Sequence, residues 1–282
     1  AAFAKHLKVE HAIACCNGTA ALHLALAALD INANAEVLVP DLTYVATANA
    51  VSYTRAKPVL MDIDPKTWNF DLRDAQALVS RQTRAIVPVH LYGTPCDMAK
   101  VMDFAHEHTL LVVEDAAEAL GAACGAVPCG TIGDCGIFSF YANKIITTGE
   151  GGMVVTNDQL LARRIRHLRG QAQPTRGRFW HNEVGFNYRM TSVAAAIGLV
   201  QLANLDYFLG ERRRVFNRYF GKLSSLNTPL TSASAPWLFT VELPKDVDRN
   251  VIAQFLQDRG IETRPVFVPL HTMPIYAKNE TD

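Results

Sequence analysis

An excess of charge of either sign is missing. Lys and Arg together number 27, and so do Asp and Glu. Nothing basic dominates, as it would where nucleic acid or an anionic membrane surface was the main partner. Long apolar runs are missing too: the longest are broken by His, Asp or Gly short of the ~18–20 residues that cross a bilayer. The opening AAFAKHLKVEH lacks the layout of a secretory signal. Cysteine is sparse, with six in 282 residues: Cys15, Cys16, Cys96, Cys124, Cys129 and Cys135. No pair of short spacings matches a zinc ligand set, and the chain is too long to need a disulfide framework. Reduced, mostly buried thiols are the expectation. Internal repeats and low-complexity tracts are absent. What is present is 49% apolar and 19% charged residues, enough core for one large domain or a large plus a small one. The expectation is a soluble, cytoplasmic α/β protein with no metal, no nucleic-acid partner and no membrane partner.

Short β-rich runs alternate with helical patterns. Strands are predicted at Glu36–Val39, Pro58–Ile63, Arg84–His90, Leu110–Glu114, Gly136–Phe140 and Gly151–Thr156, and helices at Thr43–Tyr53, Asp71–Ser80 and Asp97–His108. The runs VLV, AIVPV and LLVV are continuous rather than alternating, which suits strands covered on both faces of a mainly parallel sheet. Chemistry then gathers at the carboxyl ends of the strands. Gly18–Asp30 is apolar nearly all round and reads as a buried helix. Ser192–Leu223 reads as one long helix, Ala-rich and then charged, leaving the core to bridge to another domain. A Ser/Thr/Pro-rich turn, a strand WLFTVEL, a helix Arg249–Arg259 and a strand Glu262–Phe267 follow. The expected division is a large domain, 1–210, and a bridging helix with part of a smaller α+β domain, 211–282.

Three stretches can carry chemistry. Asn17 caps the buried helix, Gly18 admits a ligand close to the backbone, and the first free amides with the Thr19 hydroxyl form an anion cup. No Lys follows at P-loop spacing. Glu114 and Asp115 end the strand LLVV, and a helical turn after them would bring Asp115 and Glu118 to one face; the plainer reading is an acid-rich helix N-terminus. In GIFSFYANKIITTGEGG an apolar strand delivers Ser139, and Lys144 lies among Tyr141, Ile145 and Ile146. Burial lowers an amine's pKa and favours the neutral nucleophile that forms Schiff bases, the alternative being a snorkelling lysine. A phosphate cup, a strand-end carboxylate and a desolvated lysine together suit pyridoxal phosphate. A nicotinamide dehydrogenase would show G-x-G-x-x-G after its first strand, and none is there.

The stretches NGTAALHLAL, VLVPDLTYVATANAV, PVLMDIDP, AIVPVHLYGTPCDM, VVEDAAEALGA, GDCGIFSFYANKIITTGEGGMVVTND, VGFNYRMTSVAAAIGLVQL and ETRPVFVPLH resemble, in order, the DegT/DnrJ/StrS-type sugar-nucleotide aminotransferases. These are fold-type I pyridoxal-phosphate enzymes, whose members extend upstream of Ala1 and beyond Asp282. The resemblance implies a large domain with a mainly parallel sheet flanked by helices, plus a smaller C-terminal α+β domain. It implies that Lys144 holds the cofactor as an imine and moves the proton, and that Asp115 pairs with the ring nitrogen. Glu118 would lie near the ring hydroxyl, where members often have Gln or His, and Tyr44 would stack on the ring. Gly18, Thr19 and Ser139 would bind the phosphate, with Asn187 reaching across from the partner subunit of a homodimer. Arg189 and His271 would contact donor or nucleotide sugar. Lysine at position 144 separates the chain from the family's dehydratases, which have His there.

The implied reaction moves an amino group from L-glutamate to the 4-keto group of a nucleotide-linked 6-deoxyhexose, for polysaccharide biosynthesis. Amination at C3, a UDP- or dTDP-linked sugar, and an inactive cofactor-binding protein with a regulatory or structural role stay open. His90 reads equally as functional or as a satisfied strand-end histidine. Arg163, Arg164, Arg166 and Arg169 read as solvated, as do Arg212–Arg214, and Arg176 or Arg178 could meet a substrate diphosphate.

Overall fold

The computed structural model describes residues 1–174, 179–231 and 234–277; Arg176 and Arg178 lie outside them. Helix α1 (Ala2–Leu7) precedes β1 (His11–Cys15), α2 (Gly18–Ala28), β2 (Glu36–Pro40), α3 (Ala46–Tyr53), β3 (Lys57–Met61), α4 (Leu72–Leu78) and β4 (Thr83–Ile86). Next come α5 (Met98–His108), β5 (Leu111–Asp115), the small hairpin β6 (Ala123–Cys124) and β7 (Val127–Pro128), β8 (Cys135–Ser139), β9 (Gly152–Thr156) and α6 (Gln159–Arg169). The chain closes with α7 (Ser192–Ala203), α8 (Leu205–Lys222) and α9 (Arg249–Gln257).

The seven-stranded sheet has the order β1-β9-β8-β5-β4-β2-β3. The pairs β2–β3, β2–β4, β4–β5 and β5–β8 are parallel, and β9 alone runs against its neighbours β1 and β8. The continuous apolar runs are the buried strands, β2 being buried at every position. The strand expected at Arg84–His90 stops at Ile86, because Pro88 has no amide to donate. The chain there continues extended to a single bridge, Val89 to Asp115. Sequence reading missed β1, a five-residue run that gains its ladder only from β9, far along the chain.

Helix α2 is buried at nearly every position, as its all-round apolar character requires. It packs with α3, α6 and the sheet in one apolar cluster, while α5 and α4 cover the other face. The long helix expected over Ser192–Leu223 is broken. Asn204 caps α7, its side chain donates back to the Val200 carbonyl at 2.8 Å, and α7 and α8 are bent by 63°. The Ala-rich half is not a core helix either: no residue of α7 is buried, and Val193 is 73% exposed. Neither expected strand of the C-terminal segment forms. WLFTVEL makes one bridge, Glu242 to Asn227, and Glu262–Phe267 makes no ladder, the Phe267 amide donating to the Tyr92 hydroxyl at 3.0 Å instead. A strand needs a neighbour for its amides and carbonyls, and beyond the single bridge to Asn227 none lies beside these runs among the described residues.

No single described helix is long and apolar enough to cross a membrane. All six cysteines are free, with the thiols of Cys124 and Cys129 3.7 Å apart across the β6–β7 hairpin. Among the described residues no group of three His, Cys, Asp or Glu side chains is arranged to hold a metal.

Candidate active site

Three strands end at one place. β1 ends at Cys15, and the chain turns through Asn17 into α2; the Asn17 side chain accepts from the Ala20 amide at 2.8 Å. The Gly18 and Thr19 amides, at the start of the helix, have no intrahelical acceptor. Glycine is required here by contact. A Cβ on Gly18 would lie 2.9 Å from Ser139 Cβ, and one on Gly152 would lie 2.3 Å from the Asn17 carbonyl oxygen. Gly18 and Ser139 therefore meet at the amino end of α2, with Thr19 next in the chain, in a cup whose free amides suit an anion.

Asp115 ends β5, the neighbour of β8, and is buried. Thr47 donates to its Oδ2 at 2.9 Å and the Ala117 amide to its Oδ1 at 3.1 Å. Burial holds its carboxyl above the usual range, against the opposing effects of those donors and of Lys144. A carboxylate in that position is poised for a cationic partner. No helix follows it; residues 116–119 make a turn, the Ala119 amide donating to the Ala116 carbonyl at 3.1 Å. The reading of Glu114 and Asp115 as a helix N-terminus therefore fails.

Glu118 leaves that turn and is buried beside Lys144, with Oε1 3.7 Å from Nζ and Oε2 accepting from the Tyr92 amide at 2.8 Å. Burial pushes its carboxyl up to about 7, the charge of Lys144 opposing. Lys144 sits in the loop between β8 and β9, its side chain 13% exposed. Burial lowers its pKa, partly offset by Glu118 and Asp115. It is no snorkelling surface lysine.

His90 resolves to the structural reading. It is fully buried; its Nδ1 accepts from the Cys96 amide at 3.1 Å, so the proton lies on Nε2 and is donated to Glu114 Oε2 at 3.0 Å. Glu114 also accepts from the amides of Gly130, Ile132 and Gly133. Burial opposes its ionisation, yet these partners hold its pKa below the usual value. The pair ties the loop after β7 to β5 directly behind Asp115.

Tyr44 is 57% exposed, its ring 5.6 Å from that of Phe267. His271 is exposed but anchored, Nδ1 lying 2.5 Å from Asp41 Oδ2 and its amide donating to Asp41 Oδ1 at 2.8 Å, just past the end of β2. Asn187 and Arg189 are exposed and pair with Gly170 and Cys15 along the edge beside β1. No hydrogen bond among the described residues joins either to the cup.

Two arginines depart from the solvated reading. Arg169 donates to the Ala14 carbonyl at 2.7 Å. Arg212 donates to the carbonyl of Trp237 at 2.7 Å and to that of Lys144 at 3.3 Å. Arg163, Arg166, Arg213 and Arg214 are exposed, and Arg164 pairs with Glu183. Sequence reasoning missed Thr47, Tyr92 and Trp237; the first two lie inside stretches that carry the family resemblance, but nothing local marks any of the three as facing the site. The set brought together is a helix-start cup that suits an anion, a buried carboxylate and an amine of lowered pKa. It fits a phosphate-bearing pyridine aldehyde.

The profile of the DegT/DnrJ/EryC1/StrS aminotransferases matches residues 1–282. GDP-perosamine synthase of Caulobacter vibrioides is 50% identical over 290 residues, spanning 100% of this chain and 78% of that protein. The synthase of the same name from Escherichia coli O157:H7 is 43% identical over 98% of this chain and 77% of its own length. Among solved structures, DesV of S. venezuelae superposes with a TM-score of 0.91 at 36% identity, covering 98% of this chain and 75% of that one.

Proposed function

The chain belongs to the DegT/DnrJ/EryC1/StrS aminotransferase family, and from that premise we propose that it transfers an amino group from L-glutamate to the 4-keto group of GDP-4-keto-6-deoxymannose, forming GDP-perosamine. The observation that carries this reading is Lys144, desolvated beside Glu118, in the loop that β8 delivers next to Asp115. The choice of sugar rests on the relatives: those named GDP-perosamine synthase are 50%, 43% and 39% identical. A UDP-N-acetyl-3-dehydro-glucosamine 3-aminotransferase is 36% identical.

Pyridoxal phosphate, when bound, supplies the electron sink that lets the amino group's carbon lose its proton. The protein's share is position and proton control. Gly18, Thr19 and Ser139 hold the phosphate at the amino end of α2. Asp115, oriented by Thr47 and Ala117, keeps the ring nitrogen protonated. Tyr44 would stack on the ring. Lys144 would hold the cofactor through its ε-amine, and its Nζ, when free, would hold and move the proton. Glu118, 3.7 Å from that same amine, would lie near the ring hydroxyl. In this reading residues 1–210 carry the cofactor, residues 211–282 pack over it through Arg212 and Trp237, and His271 and Arg189 face the substrates.

The active unit is a homodimer. Its support is α7, whose Val193, Ile197 and Val200 recur at i, i+4 and i+7 and are all exposed; a soluble chain rarely leaves such a face open. Asn187, exposed on the neighbouring edge, then completes the partner's phosphate cup. The free thiols favour a reducing compartment, the cytoplasm. The test is product formation: protein, pyridoxal phosphate and L-glutamate with a panel of 4-keto and 3-keto GDP-, UDP- and dTDP-sugars, read by mass spectrometry. Amination of the GDP 4-keto sugar at the highest kcat/KM supports the reading. Preference for another member of the panel transfers it to that sugar.

A further inference from the structure

Lys144 Nζ lies 3.6 Å from the centroid of the Trp237 ring. That ring comes from the C-terminal segment, almost a hundred residues away, yet it is only 6% exposed and is fixed from three sides. Its Nε1 donates to the Asn143 carbonyl at 2.9 Å, its own carbonyl accepts from Arg212 at 2.7 Å, and it stacks on Tyr92 at 6.2 Å between centroids and 20° between planes. Tyr92 in turn holds Glu118 through its amide, and Arg212 reaches back to the Lys144 carbonyl. The ammonium therefore has a π face on one side and a carboxylate 3.7 Å away on another. Indole is the strongest of the aromatic partners for a cation, most of all where water is excluded.

We propose that Trp237 is a positioning residue for Lys144, its ring face forming the berth in which the ε-ammonium rests whenever the lysine is not bonded to the cofactor. The inference rests on the reading that Lys144 is the cofactor's lysine. An amine that leaves the cofactor and must return to it at each turnover needs a fixed place to wait. A flexible four-carbon stem left in solvent would have to be reordered at each return, at an entropic cost. The charged groups facing the amine are Glu118 at 3.7 Å and Asp115 farther off, with Arg212 held at the backbone carbonyl. The part belonging to Trp237 is separable from theirs because fluorination of the ring weakens its face without removing a side chain.

The experiment uses the full chain loaded with pyridoxamine phosphate, so that the cofactor is in place and the lysine is free. Lys144 is titrated by competitive acetylation with limiting acetic anhydride, its peptide being read by mass spectrometry. Tryptophan is replaced throughout by monofluoro- and then tetrafluorotryptophan. Of the other two, Trp180 is exposed and bonds Asn182, while Trp68 meets the edge of Tyr92 and not the amine, so the fluorinated titration is repeated in Trp68→Phe as the control. The labelling midpoint of Lys144 is expected to fall stepwise with fluorination, by about half a pH unit to one and a half in all. Trp237→Leu should lower it further than Trp237→Phe, which keeps a weaker π face. An unmoved midpoint with tetrafluorotryptophan, or equal midpoints for the Phe and Leu variants, overturns the berth. Borohydride fixation of pyridoxal phosphate onto Lys144 in the unmodified protein separates the two failures. Fixation without a midpoint shift rejects the berth alone, and absence of fixation rejects the cofactor reading on which it rests.

Discussion

At the scale of single residues, the site is built from groups whose burial works against their charge. Among the described residues Asp115 has two donors, Thr47 and the Ala117 amide, and no cation in direct contact. Asp115→Asn preserves size and removes the charge that would keep a ring nitrogen protonated. Its kcat should fall about 10²-fold or more with the unfolding temperature little changed, and a kcat within twofold of the parent would remove Asp115 from that role. Glu118 gives a pH signature of its own. Its folded pKa, about 7, lies above the ordinary 4.5. The folded state therefore binds the extra proton between those values, and stability falls as pH rises through them. The contribution is fully present below the ordinary pKa and lost above the folded one. In cofactor-free protein, Glu118→Gln should flatten the decline in unfolding temperature between about pH 4.5 and 7. An unchanged slope would mean that Glu118 is not the group responsible.

At the scale of elements, two features decide how the site is assembled. The loop after β7 is held to β5 by Glu114, which accepts from three amides and from His90 in a fully buried position. Glu114→Ala leaves those donors unpaired and should cost about 3–5 kcal/mol in denaturant unfolding; a loss below about 1 kcal/mol would show the loop to be held by other means. Helix α7 is the second. Asp at both Val193 and Val200 should shift sedimentation from dimer to monomer, weakening association about 10²-fold or more. Activity should fall with it if Asn187 completes the partner's cup, whereas a double variant that stays dimeric would place the interface elsewhere. These elements also mark how far sequence reading reaches. The strands that flank Asp115 and Ser139 were legible because burial on both faces writes a continuous apolar run. The bend at Asn204 was not, since a helix cap in mid-pattern looks like any polar helix residue. WLFTVEL has strand composition but no ladder neighbour, and composition carries no information on neighbours.

At the scale of the whole molecule, the parallel sheet with one reversed strand brings the start of α2 to the carboxylate and the lysine, which follow it by about a hundred residues or more in the chain. The sequence supplied each part by its own local chemistry: a capped apolar helix, an acid at a strand end, and a lysine among apolar neighbours. Their convergence is a product of strand order, which places β5 beside β8 and β8 beside β9. Trp237 and Arg212 were illegible for the same reason in reverse. They carry no local motif and act only through the packing of the C-terminal segment on the Lys144 loop. The most direct measurement is the absorption spectrum of the full-length protein with added pyridoxal phosphate, before and after L-glutamate, beside Lys144→Ala. A visible band of lysine-bound cofactor that glutamate bleaches, absent from the variant, is the predicted result. A parent protein that forms no such band, or a Lys144→Ala variant that keeps it, would contradict the assignment of Lys144 and of the transamination built on it.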